Sequence, residues 1–295
     1  MLTLPDQTGR RILVTGATNG IGLEAAVELA RAGASVSIVG RDPKRTEAAA
    51  AAIAERAGGA AIESFLCDFA SQASVRALAA DYRARHDRLH VLVNNAGGVF
   101  DTRTVTVDGI EATFAVNHLG YFLLTQLLLD VIQASAPARI VIVASRGHYR
   151  GTMDFHDLGY ERGYGIMSAY QRSKLGNVLY ARALARRLEG GGVVVNSCHP
   201  GGVATNIWTS APGWAAPILT VAKWFMLTPG QGAERITWLA AAAETATTTG
   251  GYFHDNRPKE PSALAQDAVL GERLWEESAR LVGLQVGPEV APTTP

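Results

Sequence analysis

Short runs of β-branched and aliphatic residues alternate along the chain with longer Ala/Leu-rich stretches of helical period. Arg11 to Thr15, Ser35 to Val39, Ala61 to Leu66, Leu89 to Asn94, Ile140 to Ala144 and Val193 to Cys198 have the length and nearly unbroken apolar character of strands buried on both faces. Between them, helices are predicted to begin near Ile21, Pro43, Ser71, Ile110 and Ser168, with Gly33 placed to end the first. Further helices at Gln231 to Glu244 and Ala263 to Leu281 flank a short apolar strand at Tyr252 and Phe253. Such alternation predicts an α/β fold, a doubly wound parallel sheet covered by helices on both faces.

No Pro/Ser/Gly linker and no internal repeat divides the chain, so one domain over residues 1–286 is expected, followed by a disordered tail at 287–295 that carries three prolines. With 295 residues, 47% of them hydrophobic, a large core is affordable in surface terms. The 27 basic and 27 acidic side chains cancel, which leaves no field to attract a phosphate backbone and argues against nucleic acid as partner. Cys67 and Cys198 are too few for a disulfide framework, and no Cys/His spacing resembles a metal site, so no metal is expected. Pro5, Asp6 and Gln7 interrupt the N-terminus where a signal peptide needs an apolar run, and a cytoplasmic location is expected. Ala211 to Leu227 is the most membrane-like stretch, but Pro212, Gly213, Pro217 and Lys223 break it below the ~20 residues of a span. Contact with a membrane surface stays open.

Chemistry first enters between the first strand and first helix, at Thr15, Gly16, Ala17, Thr18, Asn19, Gly20, Ile21 and Gly22. Glycines there let the backbone turn tightly and approach a diphosphate, while the helix N-terminus offers free N–H groups. The spacing differs from G-x-G-x-x-G, with three residues between its first two glycines. Taken by itself the turn leaves a merely structural role open as the lesser alternative.

The alternation and this spacing together resemble the short-chain dehydrogenase/reductase family. Asn94, Asn95, Ala96 and Gly97 match its N-N-A-G; Tyr170 to Lys174 match Y-x-x-x-K; Pro200, Gly201, Gly202, Val203, Ala204 and Thr205 match P-G-x-V-x-T. Val116 to Gly120, Phe155 to Leu158, Ser173 to Leu175 and Arg273 to Trp275 look more narrowly like the retinol-dehydrogenase-like branch. The resemblance covers about Arg11 to Leu284 and implies a Rossmann-type sheet of about seven strands with the cofactor at their carboxyl ends.

Interconverting an alcohol and a carbonyl requires a proton to move at oxygen while hydride moves at carbon. Tyr170 is the candidate for the proton, and because a free phenol has a pKa near ~10, a cation must stabilise its anion at neutral pH. Lys174, one turn later on the same helix face, is placed to do this. The resemblance further implies that Lys174 binds the nicotinamide ribose, that Ser145 orients the substrate oxygen, and that Asn117 bends a helix and supports a proton path. On side chains alone, Ser145 could instead cap the next segment. His118 and His148 read as packed residues without a ligand role.

Where an acidic side chain would select NAD at the end of the second strand, this chain has Arg41, able to pair with a 2′-phosphate. NADP(H) is therefore favoured, while Asp42 and Asn19 keep NAD(H) open. The resemblance places Asp68 at the adenine and Thr205 at the carboxamide; Asp68 as a plain helix N-cap is equally open. Residues 203–228 fall where the family builds its substrate lid, and Ile207, Trp208, Trp214 and Trp224 make that stretch strongly apolar. They would line a pocket for a lipophilic carbonyl or alcohol, or pack between helices or copies of the chain. A nucleotide-sensing protein without turnover is the reading from another class, although no member of the Asn117, Ser145, Tyr170, Lys174 set is missing.

Overall fold

In the computed structural model, which describes residues 3–202 and 227–285, strand β1 (Arg11–Thr15) is buried along nearly its whole length. Its aliphatic side chains face helices on both sides, which is why the segment reads as an unbroken apolar run rather than an alternating one. β1 pairs in parallel with β2 (Ser35–Gly40) on one side and with β4 (Val91–Asn94) on the other. β3 (Glu63–Leu66) extends the first side; β5 (Ala138–Val143), β6 (Val193–His199) and β7 (Tyr252–His254) extend the second, all parallel. A two-residue strand, β8 (Arg257–Pro258), turns back antiparallel to β7, so the order is β3-β2-β1-β4-β5-β6-β7-β8.

The sheet thus has eight strands where about seven are predicted. The eighth arises because Asp255 and Asn256 both take positive φ, a hairpin turn that these two residue types tolerate better than most.

One face of the sheet is covered by α1 (Gly20–Arg31), α2 (Pro43–Arg56) and α7 (Pro229–Ala241), whose apolar sides meet Ile12, Val14, Val36 and Val93. The other face carries α3 (Gln72–Arg85), α5 (Gly120–Gln133), α6 (Ile166–Arg187) and the C-terminal α9 (Ala268–Leu281). A short helix α4 (Ala112–Phe114) runs through one π-helical turn, Ala115–Leu119, into α5. It begins at Ala112 rather than Ile110 because the Glu111 carboxylate caps the N–H groups of Thr113 and Phe114. The helix predicted over Ala263 to Leu281 is two: Asp267 closes α8 (Ala263–Gln266) and accepts from Leu270 N to start α9.

Among the described residues, Ala112–Gln133 has the length and mean hydropathy, 1.3, of a membrane span, but 72% of that window is buried in the protein, as befits a core helix. Residues 203–226, most of the expected lid, and the expected tail at 287–295 lie outside the described residues.

Sheet order reverses between β1 and β4, and the crevice at the carboxyl ends of these strands is where the loops of both halves part. Next to it the π-helical turn buries His118 completely, with Nδ1 3.3 Å from Asn177 Oδ1 and Nε2 2.9 Å from Ser278 Oγ, so that α5, α6 and α9 meet on one ring. Burial pushes this imidazole down to about 4. As pH falls below the ordinary histidine value of ~6.5, the unfolded chain takes up a proton that the folded chain refuses until about pH 4. Stability is therefore whole above that window and lost as pH falls through it. In urea titrations at about pH 7 and about pH 4.5, His118→Gln should show an acid-induced loss smaller than wild type by about 2 kcal/mol.

Candidate active site

Two backbone segments are fused at the crevice. The Thr15 hydroxyl at the end of β1 donates to Val93 O and accepts from the N–H groups of Asn95 and Ala96 at 2.8 and 3.0 Å. The Asn95 amide returns the contact, donating to Thr15 O at 2.9 Å and Gly16 O at 3.2 Å. This closeness explains the glycines. A Cβ on Gly16, which has φ +66°, would stand 2.6 Å from Ala96 Cα, and one on Gly22 would stand 2.5 Å from Asn95 Nδ2. The glycine turn and Asn95-Ala96-Gly97 are thus one rigid unit, with Thr18 half-buried and Asn19 exposed on its rim.

Asn117 lies in the π-helical turn, fully buried. Its Oδ1 accepts from Gly98 N at 2.8 Å, and its Nδ2 donates to Gly98 O at 2.9 Å and Ser173 Oγ at 3.1 Å. Ser173 in turn donates to Tyr170 O at 2.7 Å. Ser145 follows β5 and caps the turn Arg146–Arg150, accepting from Gly147 N at 3.0 Å. The capping role considered for this serine is real, and its own O–H remains available as a donor. A Cβ on Gly147 would lie 3.4 Å from Ser145 Oγ and 3.5 Å from the Tyr170 ring, which brings the hydroxyl and the phenol to the same spot.

Tyr170 and Lys174 project from α6 toward the end of β5. Lys174 is 3% exposed, and its Nζ donates to Val143 O at 3.0 Å and lies 5.7 Å from the centroids of both the Tyr170 and Tyr121 rings. Burial lowers its pKa to about 8, against a small opposing effect of Cys198. The Tyr170 phenol is pushed above its usual value by burial, and the neighbour that pulls it back is the Ser145 hydroxyl. The expectation that the ammonium makes this phenol acidic is therefore not met by the protein alone. The lysine is tethered to a backbone carbonyl and is itself short of solvation.

The remaining expected site residues fall around this centre. Arg41 is exposed at the end of β2, and Asp42 beside it caps α2 by accepting from Arg45 N at 2.8 Å. Asp68 does not cap α3, a role taken by Ser71; it follows β3, half-buried, and accepts from Ala70 N at 3.0 Å. Pro200 is buried after β6, and its carbonyl accepts from the Arg235 guanidinium. Gly201 takes φ +101°, and Leu227 N donates to Gly202 O at 2.9 Å, joining the chain on either side of residues 203–226. Val203, Thr205, Ile207, Trp208, Trp214 and Trp224 lie outside the described residues.

The structure also recruits residues that motif spacing does not single out. His148 is buried behind Ser145, with Nδ1 2.7 Å from Ser145 O and Nε2 accepting from Ser262 N at 3.2 Å, and so anchors the serine's backbone to the segment before α8. Ser173 links Asn117 to the Tyr170 backbone, and Asn177 shares with Lys174 the Val143 carbonyl. Ser173 lies three residues after Tyr170 and Asn177 three after Lys174, and this helical spacing is the signal in the sequence that could have found their roles.

The crevice has the donors that a dinucleotide needs. Asn19 at the start of α1 makes no side-chain cap, and like Gly165 before α6 it leaves the first N–H groups of its helix without a side-chain acceptor; of these two starts, that of α1 follows the glycine turn. The N–H groups there are left for an anion beside the glycine turn. Among the described residues no group of His, Cys, Asp or Glu could hold a metal ion.

Comparison with known proteins agrees with this architecture. The model of the short chain dehydrogenase family matches residues 10–215. Retinol dehydrogenase 13 of Homo sapiens is 42% identical over 283 residues, covering 94% of this chain and 86% of its own. A protein of Streptomyces sp. (strain C5), provisionally named daunorubicin C-13 ketoreductase DnrU, is 41% identical over 276 residues, covering 93% of each. Among solved structures, the Pseudomonas aeruginosa RhlG/NADP active-site complex superposes with a TM-score of 0.68 at 27% identity, covering 86% of this chain and 97% of the other. The chain therefore belongs to the short-chain dehydrogenase family, in its retinol-dehydrogenase-like branch, and is an oxidoreductase that acts on CH–OH groups with a nicotinamide cofactor.

Proposed function

We propose that this chain interconverts a lipophilic carbonyl compound and its alcohol with NADP(H). The observation that carries the reading is the convergence of the Ser145 hydroxyl, the Tyr170 phenol and the Lys174 ammonium at the carboxyl end of β5, beside the glycine turn. When bound, the nicotinamide supplies or accepts a hydride at the substrate carbon.

The chain's own residues handle the oxygen. Ser145 donates its free O–H to the substrate oxygen, its acceptor side being held by Gly147 N. Tyr170 gives that oxygen a proton in reduction and takes one in oxidation. With burial raising its pKa, the phenol is protonated at neutral pH and ready to donate; in oxidation it needs nearby positive charge, for which Lys174, with Nζ 5.7 Å from the ring centroid, is the candidate. Asn117, through Ser173, fixes the backbone of α6 at Tyr170.

Arg41 supports the choice of NADP(H). It is exposed at the end of β2, and the neighbouring carboxylate of Asp42 is engaged in capping α2, which leaves the guanidinium able to pair with a 2′-phosphate. A lipophilic substrate is supported by the apolar composition of residues 203–228 and by the names of the retinol dehydrogenase and ketoreductase relatives.

Three measurements test these roles. Tyr170→Phe should lower kcat by about a thousandfold or more while the dissociation constant for NADP(H) changes less than about threefold; turnover near the wild-type rate would reject the mechanism. Arg41→Asp should weaken NADPH by about tenfold or more and leave NADH nearly unchanged, read by fluorescence titration of each dinucleotide. In a spectrophotometric screen, long-chain, aromatic and terpenoid aldehydes and ketones should exceed small hydrophilic carbonyls in kcat/KM, and the reverse order would remove the lipophilic assignment.

A further inference from the structure

Behind Lys174 the hydrogen bonds continue away from the cleft. The Val143 carbonyl accepts from Lys174 Nζ at 3.0 Å and also from Asn177 Nδ2 at 3.2 Å. Both side chains rise from one face of α6, three residues apart, and both are buried. A carbonyl oxygen offers two lone pairs, so with Asn177 on one of them the ammonium is confined to the other, and its remaining N–H groups stay free for the cleft.

The orientation of Asn177 is itself fixed. Its Oδ1 faces His118 Nδ1 at 3.3 Å, and His118 Nε2 faces Ser278 Oγ at 2.9 Å. An amide oxygen only accepts, so Nδ1 carries the imidazole proton, Nε2 accepts, and the Ser278 hydroxyl donates. Every polar atom in the row then has one sense, and the amide cannot be reversed without losing both of its bonds. Gly176 leaves the room for it, because a Cβ there would stand 3.1 Å from His118 Nδ1. The titratable groups that surround the ammonium are Tyr170, Tyr121, Cys198 and His118.

We propose that Asn177 is the positioning residue for Lys174: held by His118 and, through it, by Ser278 of α9, it occupies the second lone pair of the Val143 carbonyl and so holds the ammonium beside Tyr170. The C-terminal helix thereby reaches the active site through three side chains without touching substrate. The proposal rests on the reading above that Lys174 serves Tyr170.

The test uses the full chain in alcohol oxidation with NADP⁺, followed over pH, for wild type, Lys174→Met, Asn177→Leu, Asn177→Ser and His118→Leu. Asn177→Leu should lower kcat about tenfold with KM for alcohol and cofactor within about twofold. The rising limb of its pH profile should move up by about one unit, because a displaced ammonium no longer favours the phenolate. Asn177→Ser, which keeps a shorter donor and less demand on folding, should fall between. His118→Leu should shift the limb in the same direction, and the Asn177→Leu/His118→Leu pair should be no worse than Asn177→Leu alone, since the imidazole acts through the amide.

A cofactor-free readout accompanies the kinetics. The lysine side-chain NMR resonance lost in Lys174→Met should show ammonium-proton exchange that is slow in wild type and at least about fivefold faster in Asn177→Leu and Asn177→Ser. Wild-type kcat, limb and exchange in both Asn177 variants would overturn the proposal, as would a loss of rate that only tracks the unfolded fraction with the limb unmoved. A fully active Lys174→Met would instead defeat the catalytic reading on which the proposal stands, and the two failures are thereby told apart.

Discussion

An ammonium group with 3% exposure, set under the carboxyl end of a parallel sheet, has to be met by a fixed oxygen acceptor, and here that acceptor is the Val143 carbonyl. A buried charge left without a partner costs several kcal/mol, so the end of β5 and the crossing of α6 above it are bound to one another through this contact. The compensation is incomplete, as the fall of the Lys174 pKa to about 8 shows. That residual cost has a use. A lysine only partly satisfied by the protein retains N–H groups for a ligand, and the phenol beside it, raised by burial, gains most from positive charge brought to it.

On the other side of the crevice, rigidity comes from neutral groups. Thr15, Asn95 and the carbonyls of Thr15 and Gly16 lock the first turn to the end of β4, at separations that admit no Cβ at Gly16 or Gly22. The glycines are thus required first by protein packing, and the approach of a diphosphate to the uncapped start of α1 uses a surface that this packing has already fixed. One half of the site is held by buried amide contacts and the other by a buried charge.

This difference governs what could be read from the chain. Strands β1, β2, β4 and β6 were legible because burial on both faces writes an unbroken apolar run. β8 was not, since both its residues are exposed and it exists through the turn at Asp255 and Asn256. The break between α8 and α9 is hidden inside an Ala/Leu-rich pattern, where Asp267 acts as a cap rather than as one more surface residue. At the site, Tyr170 and Lys174 announce themselves by spacing and Ser145 by its place after a strand. Asn177 does not, nor do the roles of His118 and Ser173, because what defines them is a partner far along the chain: Val143, Ser278 and Asn117. The state of the Tyr170 phenol is not legible for a related reason: sequence names the neighbouring charge but is silent on the depth at which the pair is buried.

The hydrogen bond from Leu227 N to Gly202 O closes the framework across residues 203–226. The free energy needed to keep two ends of a chain together grows only with the logarithm of the intervening length, about 0.6 kcal/mol for each doubling. The pairing of Gly202 with Leu227 therefore belongs to the frame itself, and its stability is nearly independent of how many residues separate the two.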